Sequence, residues 1–276
     1  MRRLSPTLMK GAVIGTGLLL APLAIAQAQE EATPSLPRPG WSFDGPFGVY
    51  DRGALQRGFE VYQNVCANCH ALSLVTYDDL GPNGPGGGLG YSEDQVKGIA
   101  AQKEVTDGPN DQGEMFQRPA RPSDHFVPPF PNDQANRAAH NGALPPDLSL
   151  IVKERAGGLG ALPWAASGAD YVYDLLTGFK TAPANEKMPE NSYYNEYFPG
   201  HHIAMPPPLA DETVNYSDGT KATTAQEAHD VVTFLTWAAE PAMEDRKRNG
   251  AKVLIFLVVL TGLLYAAKRK IWADVH

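Results

Sequence analysis

Two cysteines stand three positions apart, with a histidine directly after the second: Cys66-Ala67-Asn68-Cys69-His70. They are the only cysteines in the chain. At this spacing two thiols project from adjacent turn positions, and each can form a thioether to one vinyl group of a single porphyrin. The histidine then falls beneath the central iron as an axial ligand. The pattern predicts one covalently bound haem c, held by Cys66 and Cys69, with His70 on the metal. Two other chemistries share the spacing. A thioredoxin-like dithiol needs a βαβ setting, which is not visible around this segment. A zinc site needs four protein ligands, and there is no second cysteine pair.

A second axial ligand must come from elsewhere. Beyond residue 28 the methionines are Met115, Met188, Met205 and Met243. Met115 lies in an acidic stretch and Met243 close to a long apolar segment, so neither suits the role. Met188 and Met205 each precede a proline, which would stiffen a loop that presents the thioether. Met205, within His201-His202-Ile203-Ala204-Met205-Pro206-Pro207-Pro208-Leu209, is favoured by its place shortly before the last amphipathic helix. Met188, His201 and His202 remain alternatives. A methionine ligand raises the reduction potential relative to two histidines. An iron closed on both faces has no position for oxygen or peroxide, so the expected activity is outer-sphere electron transfer. No Ser/His/Asp set or paired-carboxylate signature competes with it.

The elements that must hold such a group are helices. A first helix is expected from about Arg52 to Ala67, with Leu55, Phe59 and Tyr62 on one face. A last one begins at a Thr224-x-x-Glu227 capping box and buries Val231, Val232, Leu235 and Ala238; Pro241 marks a break after it. Shorter helices are expected over Asp147–Lys153 and Ala169–Thr177, the latter turning Tyr171, Leu175 and Leu176 inward. No alternating strand run is visible, so any sheet is minor. Gly81–Gly90 reads as an irregular surface loop; no Gly-Lys-Ser/Thr follows it to make a phosphate site. Arg118–Pro131 and Met205–Pro208 are proline-stiffened. With 24 prolines and 27 glycines in 276 residues, the chain is rich in loops and needs a cofactor to pack around.

The ends carry their own signals. Residues 1–28 read as an export signal: Arg2, Arg3 and Lys10 precede an apolar run that ends at Ala26-Gln27-Ala28. Residues 246–276 read as a membrane anchor and short tail, built on the uncharged stretch Val253–Ala267 between Lys252 and Lys268, with Trp272 as an interfacial aromatic. Basic residues flank this stretch on both sides, so orientation follows from the export signal: residues 29–245 outside the cytoplasm, the tail inside. The formal net charge is −8, and residues 29–245 alone hold 13 basic and 30 acidic side chains. That balance excludes nucleic acid as the default partner and suits a basic protein.

Four blocks together resemble the cytochrome c1 family, the haem subunits of the ubiquinol–cytochrome c oxidoreductase (cytochrome bc1 complex). They are Arg57-Gly58-Phe59-Glu60-Val61-Tyr62 leading to Cys66–His70; Arg137-Ala138-Ala139-His140-Asn141-Gly142-Ala143-Leu144-Pro145-Pro146-Asp147-Leu148-Ser149 with Asp170-Tyr171-Val172 and Leu175–Gly178; Ile203–Leu209; and Trp237–Glu240, Arg246–Arg248 and the anchor. The leader and loops resemble those of photosynthetic or denitrifying alphaproteobacteria.

The resemblance implies a mainly α fold: a cytochrome c-type haem domain with long loop insertions and one C-terminal transmembrane helix. It implies His70 and Met205 as axial ligands and Arg137 at a haem propionate. It implies an electron-transfer subunit of the oxidoreductase that binds no quinol and makes no bonds of its own. Electrons would come from a Rieske iron–sulfur protein and leave to a basic cytochrome c in a respiratory or photosynthetic chain. Cytochrome b would be the membrane neighbour, in a dimeric complex amid lipid. The haem domain would lie on the periplasmic side of the bacterial inner membrane. Part of the acidic region formed by Asp78, Asp79, Glu93, Asp94, Glu104, Asp107, Asp111 and Glu114 would guide the cytochrome c. The chain lacks the extra cysteine pair some bacterial members carry near the methionine ligand, so packing and prolines must hold that loop. A stand-alone tethered shuttle would need a flexible linker, and none lies between Glu240 and Lys252.

Overall fold

A computed structural model describes residues 38–156 and 167–273. The expected export signal lies outside the described residues. Among the described residues seven α-helices run in order: α1 (Arg52–Asn64), α2 (Glu93–Ala100), α3 (Asp133–Ala139), α4 (Ile151–Glu154), α5 (Gly168–Thr177), α6 (Thr224–Ala239) and α7 (Met243–Ile271). Two antiparallel ribbons complete the described secondary structure apart from short 3₁₀ turns. β1 (Glu104–Asp107) pairs with β2 (Phe116–Pro119), and β3 (Tyr193–Tyr194) with β4 (His202–Ile203). The expectation of a mainly helical domain with minor sheet and a C-terminal apolar helix is met.

The centre is the crossing of α1 and α6. Asp51 caps α1 by accepting the amides of Gly53 and Ala54. Leu55, Phe59 and Tyr62 then fall on one buried face, as their spacing requires. Phe59 and Tyr62 each meet Phe234 of α6 with ring centroids 5.6 Å apart. The helices approach so closely at Gly58 that a Cβ there would overlap the backbone of Asp230. Arg57 and Asp230 bridge the same crossing, Nε to carboxylate at 2.8 Å. α5 and α4 also pack on α6 and on each other.

Several local expectations change in detail. α1 stops at Asn64, and Cys66–Asn68 form a 3₁₀ turn instead of more α-helix. The cap of α6 is Thr223, whose hydroxyl accepts the Gln226 amide at 3.2 Å. The Thr224–Glu227 box does not form: Thr224 donates to Asp211, and Glu227 is buried and accepts the Val214 amide at 2.9 Å. The helix expected over Asp147–Lys153 begins only at Ile151, because Asp147 folds back onto the Ser149 amide at 2.7 Å. α5 turns Ala169, Asp170, Val172 and Asp174 fully inward, while Tyr171 and Leu176 pack only part-buried against the core. The glycine loop 81–90 is less open than expected, since Leu80 and Leu89 at its ends are fully buried. Helices α2 and α3 were not expected. Each has a capping side chain, Ser92 and Asn132 respectively.

α7 is 29 residues long and apolar enough to cross a membrane. At about 1.5 Å per residue it extends about 43 Å, more than a hydrocarbon layer. Its first residue, Met243, is buried against the domain, and every residue from Lys252 to Trp272 is exposed.

Candidate haem site

The turn after α1 gathers the reactive side chains. The amides of Cys69 and His70 both donate to the carbonyl of Cys66, at 3.1 and 2.9 Å. Two thiols and one imidazole therefore leave a single compact turn. The thiols are not joined to each other. Burial pushes the Cys66 thiol up to about 12, the opposite of what a dithiol nucleophile requires.

His70 is oriented by a distant segment. Its Nδ1 lies 2.8 Å from the Pro146 carbonyl oxygen. A carbonyl can only accept, so Nδ1 carries the proton and Nε2 is left with a free lone pair. Burial lowers the pKa of this imidazole, which favours the neutral form that binds a metal. The segment that carries Pro146 is itself fastened. Asp147 accepts from the Ser73 amide and hydroxyl at 2.9 and 2.6 Å, and Leu148 N donates to Ala71 O at 2.9 Å.

α3 closes the other side. Asn136 Nδ2 donates to Cys69 O at 3.3 Å, and its Oδ1 is buried without a hydrogen-bond partner. His140 donates from Nδ1 to Asn136 O at 2.7 Å, which turns Nε2 to within 3.2 Å of Cys69 Sγ. Arg137 lies on the exposed face of α3 and donates to Gly142 O at 3.2 Å. No ion pair neutralises it among the described residues.

Met205 belongs to a separate arm. It is half-buried, between the buried Ile203 and Leu209. β3 and β4 tie this arm back through Asn195, which is fully buried. Its Nδ2 donates to Leu175 O of α5, and its Oδ1 accepts the Tyr197 and Phe198 amides. The alternative histidines are engaged elsewhere. The His201 ring stacks on Tyr194 and bonds Asn195 O at 3.1 Å, and His202 Nε2 lies 2.9 Å from Glu186. Met188 is half-buried, Met115 is exposed, and Met243 is buried at the base of α7. The structure thus brings Cys66, Cys69, His70 and α3 together through direct contacts. No hydrogen bond or ring contact among the described residues joins Met205 to His70.

Asn136, His140, Pro146, Asp147 and Asn195 are positioning residues to which sequence reasoning gave no role. The Asp147-x-Ser149 turn signature was the one local clue. The donor set fits a c-type haem: two thiols for vinyl groups, a neutral imidazole with Nε2 free, and a soft thioether on another arm. It does not fit zinc, since no group of three His, Cys, Asp or Glu able to hold a metal occurs among the described residues.

A mainly helical domain that displays this turn and is followed by an apolar helix long enough to cross a membrane defines a class, the cytochrome c-type domain. The chain matches the family model described as Cytochrome C1 family over residues 41–275. It is 45% identical to the cytochrome c1 of Rhodospirillum rubrum, covering 98% of both chains. It is 50% identical to the cytochrome b/c1 of Bradyrhizobium diazoefficiens across 96% of its own length, but it spans only 39% of that longer protein. It is 46% identical to a mitochondrial cytochrome c1 heme protein of Arabidopsis thaliana, over 94% of this chain and 80% of the other. The chain belongs to the cytochrome c1 family.

Proposed function

We propose that this chain is the haem-bearing electron-transfer subunit of a ubiquinol–cytochrome c oxidoreductase, taking single electrons from a Rieske iron–sulfur protein and passing them to a basic cytochrome c. The bound haem would supply a reversible one-electron change at iron. The chain's own part is to hold that centre still. Cys66 and Cys69 would tether the macrocycle, and His70 through Nε2 and Met205 through its thioether would ligate the iron. Arg137, unpaired and one residue from Asn136, would meet a propionate. The observation that carries the reading is the His70–Pro146 hydrogen bond. A metal-ligating histidine is normally held through its other ring nitrogen in this way, which fixes tautomer and orientation.

Cytochrome b as the membrane neighbour is supported by the Bradyrhizobium relative, whose name joins b and c1 in one longer polypeptide. α7 would anchor the haem domain in the bacterial inner membrane, with residues 29–245 on the periplasmic side after removal of the leader. The complex would be dimeric.

The experiment compares wild type with Met205→Leu and Met188→Leu by reduced-minus-oxidised spectroscopy and redox titration, with haem staining of a denaturing gel. Wild type should keep its pigment through denaturation. Met205→Leu should lose the methionine–iron charge-transfer band and fall strongly in potential, while Met188→Leu should keep both. A colourless denatured band would refute the covalent haem. A loss on Met188→Leu alone would move the ligand to that residue.

A further inference from the structure

The segment ahead of α1 is a closed, stiff loop. Trp41, Phe43 and Tyr50 turn into the core, with Phe43 stacked on Trp41 at 5.3 Å and packed on Tyr50 at 5.5 Å between ring centroids. Its ends are joined by a hydrogen bond from Val49 N to Ser42 O at 3.1 Å. Gly48 lies so close to the Phe43 and Asp44 backbone that no Cβ could be placed there, and Gly45 has φ +71°. This construction displays Phe47 at its tip, 85% exposed, with Val49 57% exposed beside it.

Scattered exposed apolar side chains are ordinary on protein surfaces. These two differ in where they are fixed. Lys247 Nζ donates to Phe43 O and Gly48 O at 2.6 and 3.1 Å, and Glu244 Oε1 accepts the Tyr50 amide at 2.7 Å. Both partners lie in the first turns of α7. Val253, where the uncharged stretch begins, follows Lys247 by six residues, about 9 Å along the helix. The polar interfacial layer of one leaflet is about 5–8 Å thick. A loop tied at Lys247 is therefore within reach of the headgroups when Val253 meets the hydrocarbon edge.

We propose that Phe47 and Val49 form an apolar prong that enters the lipid interface beside α7. The prong gives the haem domain a second attachment, so that its tilt over the bilayer is fixed and not left to a single helix. The inference rests on the reading of α7 as a membrane span. Lipid is the occupant because the prong is two side chains wide. A stable protein interface takes about 800 Å² from each partner, whereas an interfacial layer accepts a single aromatic ring.

The test places a photoreactive benzophenone amino acid at position 47, 258 or 115 of the full chain in its native membrane. Illumination is followed by mass analysis of the adducts. Val258 lies exposed within the apolar stretch of α7, and Met115 is exposed on the domain. Phospholipid adducts at 47 and 258, each severalfold above those at 115, are the expected result. Lipid adducts at 258 with none at 47, or a polypeptide adduct at 47, would overturn the prong while leaving the anchor intact. Absence of lipid at both 47 and 258 would overturn the anchor reading, and the prong with it.

Discussion

Asn195 Nδ2 donates to the Leu175 carbonyl at 2.8 Å, across twenty residues of chain, while Asn195 Oδ1 accepts the amides of Tyr197 and Phe198 at 3.0 and 3.2 Å. One buried side chain thus joins the C-terminal turn of α5 to the ribbon that leads into Met205. Asn195→Ala leaves three backbone groups without their partner, at about 1–3 kcal/mol for each one that stays buried and unsatisfied. The expected outcome is local loosening. The methionine–iron band should fade on warming well before helical circular dichroism is lost, and in wild type the two should fade together.

Asp147 makes the other arm sensitive to acid. Burial pushes this carboxyl up, but hydrogen bonds from Ser149 and Ser73 outweigh it and hold the folded value below the usual carboxylate range. Its contribution is therefore complete above about pH 4, where the unfolded chain is already ionised, and is lost as pH falls through the folded value. Asp147→Ala should cost about 2 kcal/mol at neutral pH. It should also free Pro146 to drift from His70, seen as a high-spin fraction in the haem spectrum. Asp147→Asn should restore part of the stability but show a flatter acid profile than wild type.

Much of this was legible before any coordinates. The Cys66–His70 spacing pointed to the c-type haem that the family implies, and the apolar faces of α1 and α6 named the scaffold, because motif spacing and helical period are both local. What could not be read was long-range. Pro146 reaches His70 over 76 positions, and no local pattern marks a backbone carbonyl as a histidine's partner. Thr224 and Glu227 had the right types for a capping box, yet Asp211 and Val214 claimed them from outside the helix. α2 and α3 were missed because helices this short hold few apolar residues. Their caps, Ser92 and Asn132, carried most of the signal.

The acidic stretch divides once its partners are seen. Asp79 is spent on the Thr76 amide and hydroxyl, Asp94 pairs with Lys97, and Asp107 pairs with Arg118. Glu93, Glu104, Asp111 and Glu114 are exposed and form no ion pair among the described residues. Screening shortens the field from about 30 Å at 0.01 M salt to about 8 Å at 0.15 M. Electron delivery to a basic cytochrome c should therefore slow steeply over that range in wild type. The slope should flatten when Glu104, Asp111 and Glu114 are changed to Gln, Asn and Gln, and not in Asp94→Asn. Equal slopes in all three proteins would remove this surface from the docking reaction.

Asp174 predicts the opposite pH response. It is 1% exposed, its Oδ2 has no hydrogen-bond partner, and burial, then the neighbouring Asp170, pushes it up to about 7. A folded value above the unfolded one means that the protonated form favours folding. The penalty for ionising it grows from about pH 4, reaches its full size above about pH 7, and is at most about 4 kcal/mol. Asp174→Asn should therefore raise the unfolding midpoint at pH 8 and leave it nearly unchanged at pH 4.5. Equal shifts at the two pH values would show that packing, and not charge, governs the site.

The ion pair at the α1–α6 crossing tests how the haem turn is held. Asp230 is fully buried and takes Arg57 Nε at 2.8 Å and Nη2 at 3.2 Å, while Arg57 Nη1 also reaches Asp218 at 2.9 Å. Arg57→Met leaves the buried carboxylate with the Gln226 amide at 3.0 Å and the more distant His229 ring at 3.8 Å but without its full counter-charge, at about 3–5 kcal/mol. Arg57→Lys keeps the charge but loses the fork, so most of that loss should remain. Replacing both partners, Arg57→Met with Asp230→Leu, removes the buried charge as well as its partner and should recover most of the stability. Since α1 leads directly into Cys66, yield of haem-loaded protein should follow the same order: wild type, double variant, Arg57→Lys, Arg57→Met. Gly58→Ala keeps the ion pair yet forces the helices apart, and it should lower yield as severely as Arg57→Met. If the double variant proved no better than Arg57→Met, the pair would be needed for the geometry of the crossing itself, beyond the neutralisation of Asp230.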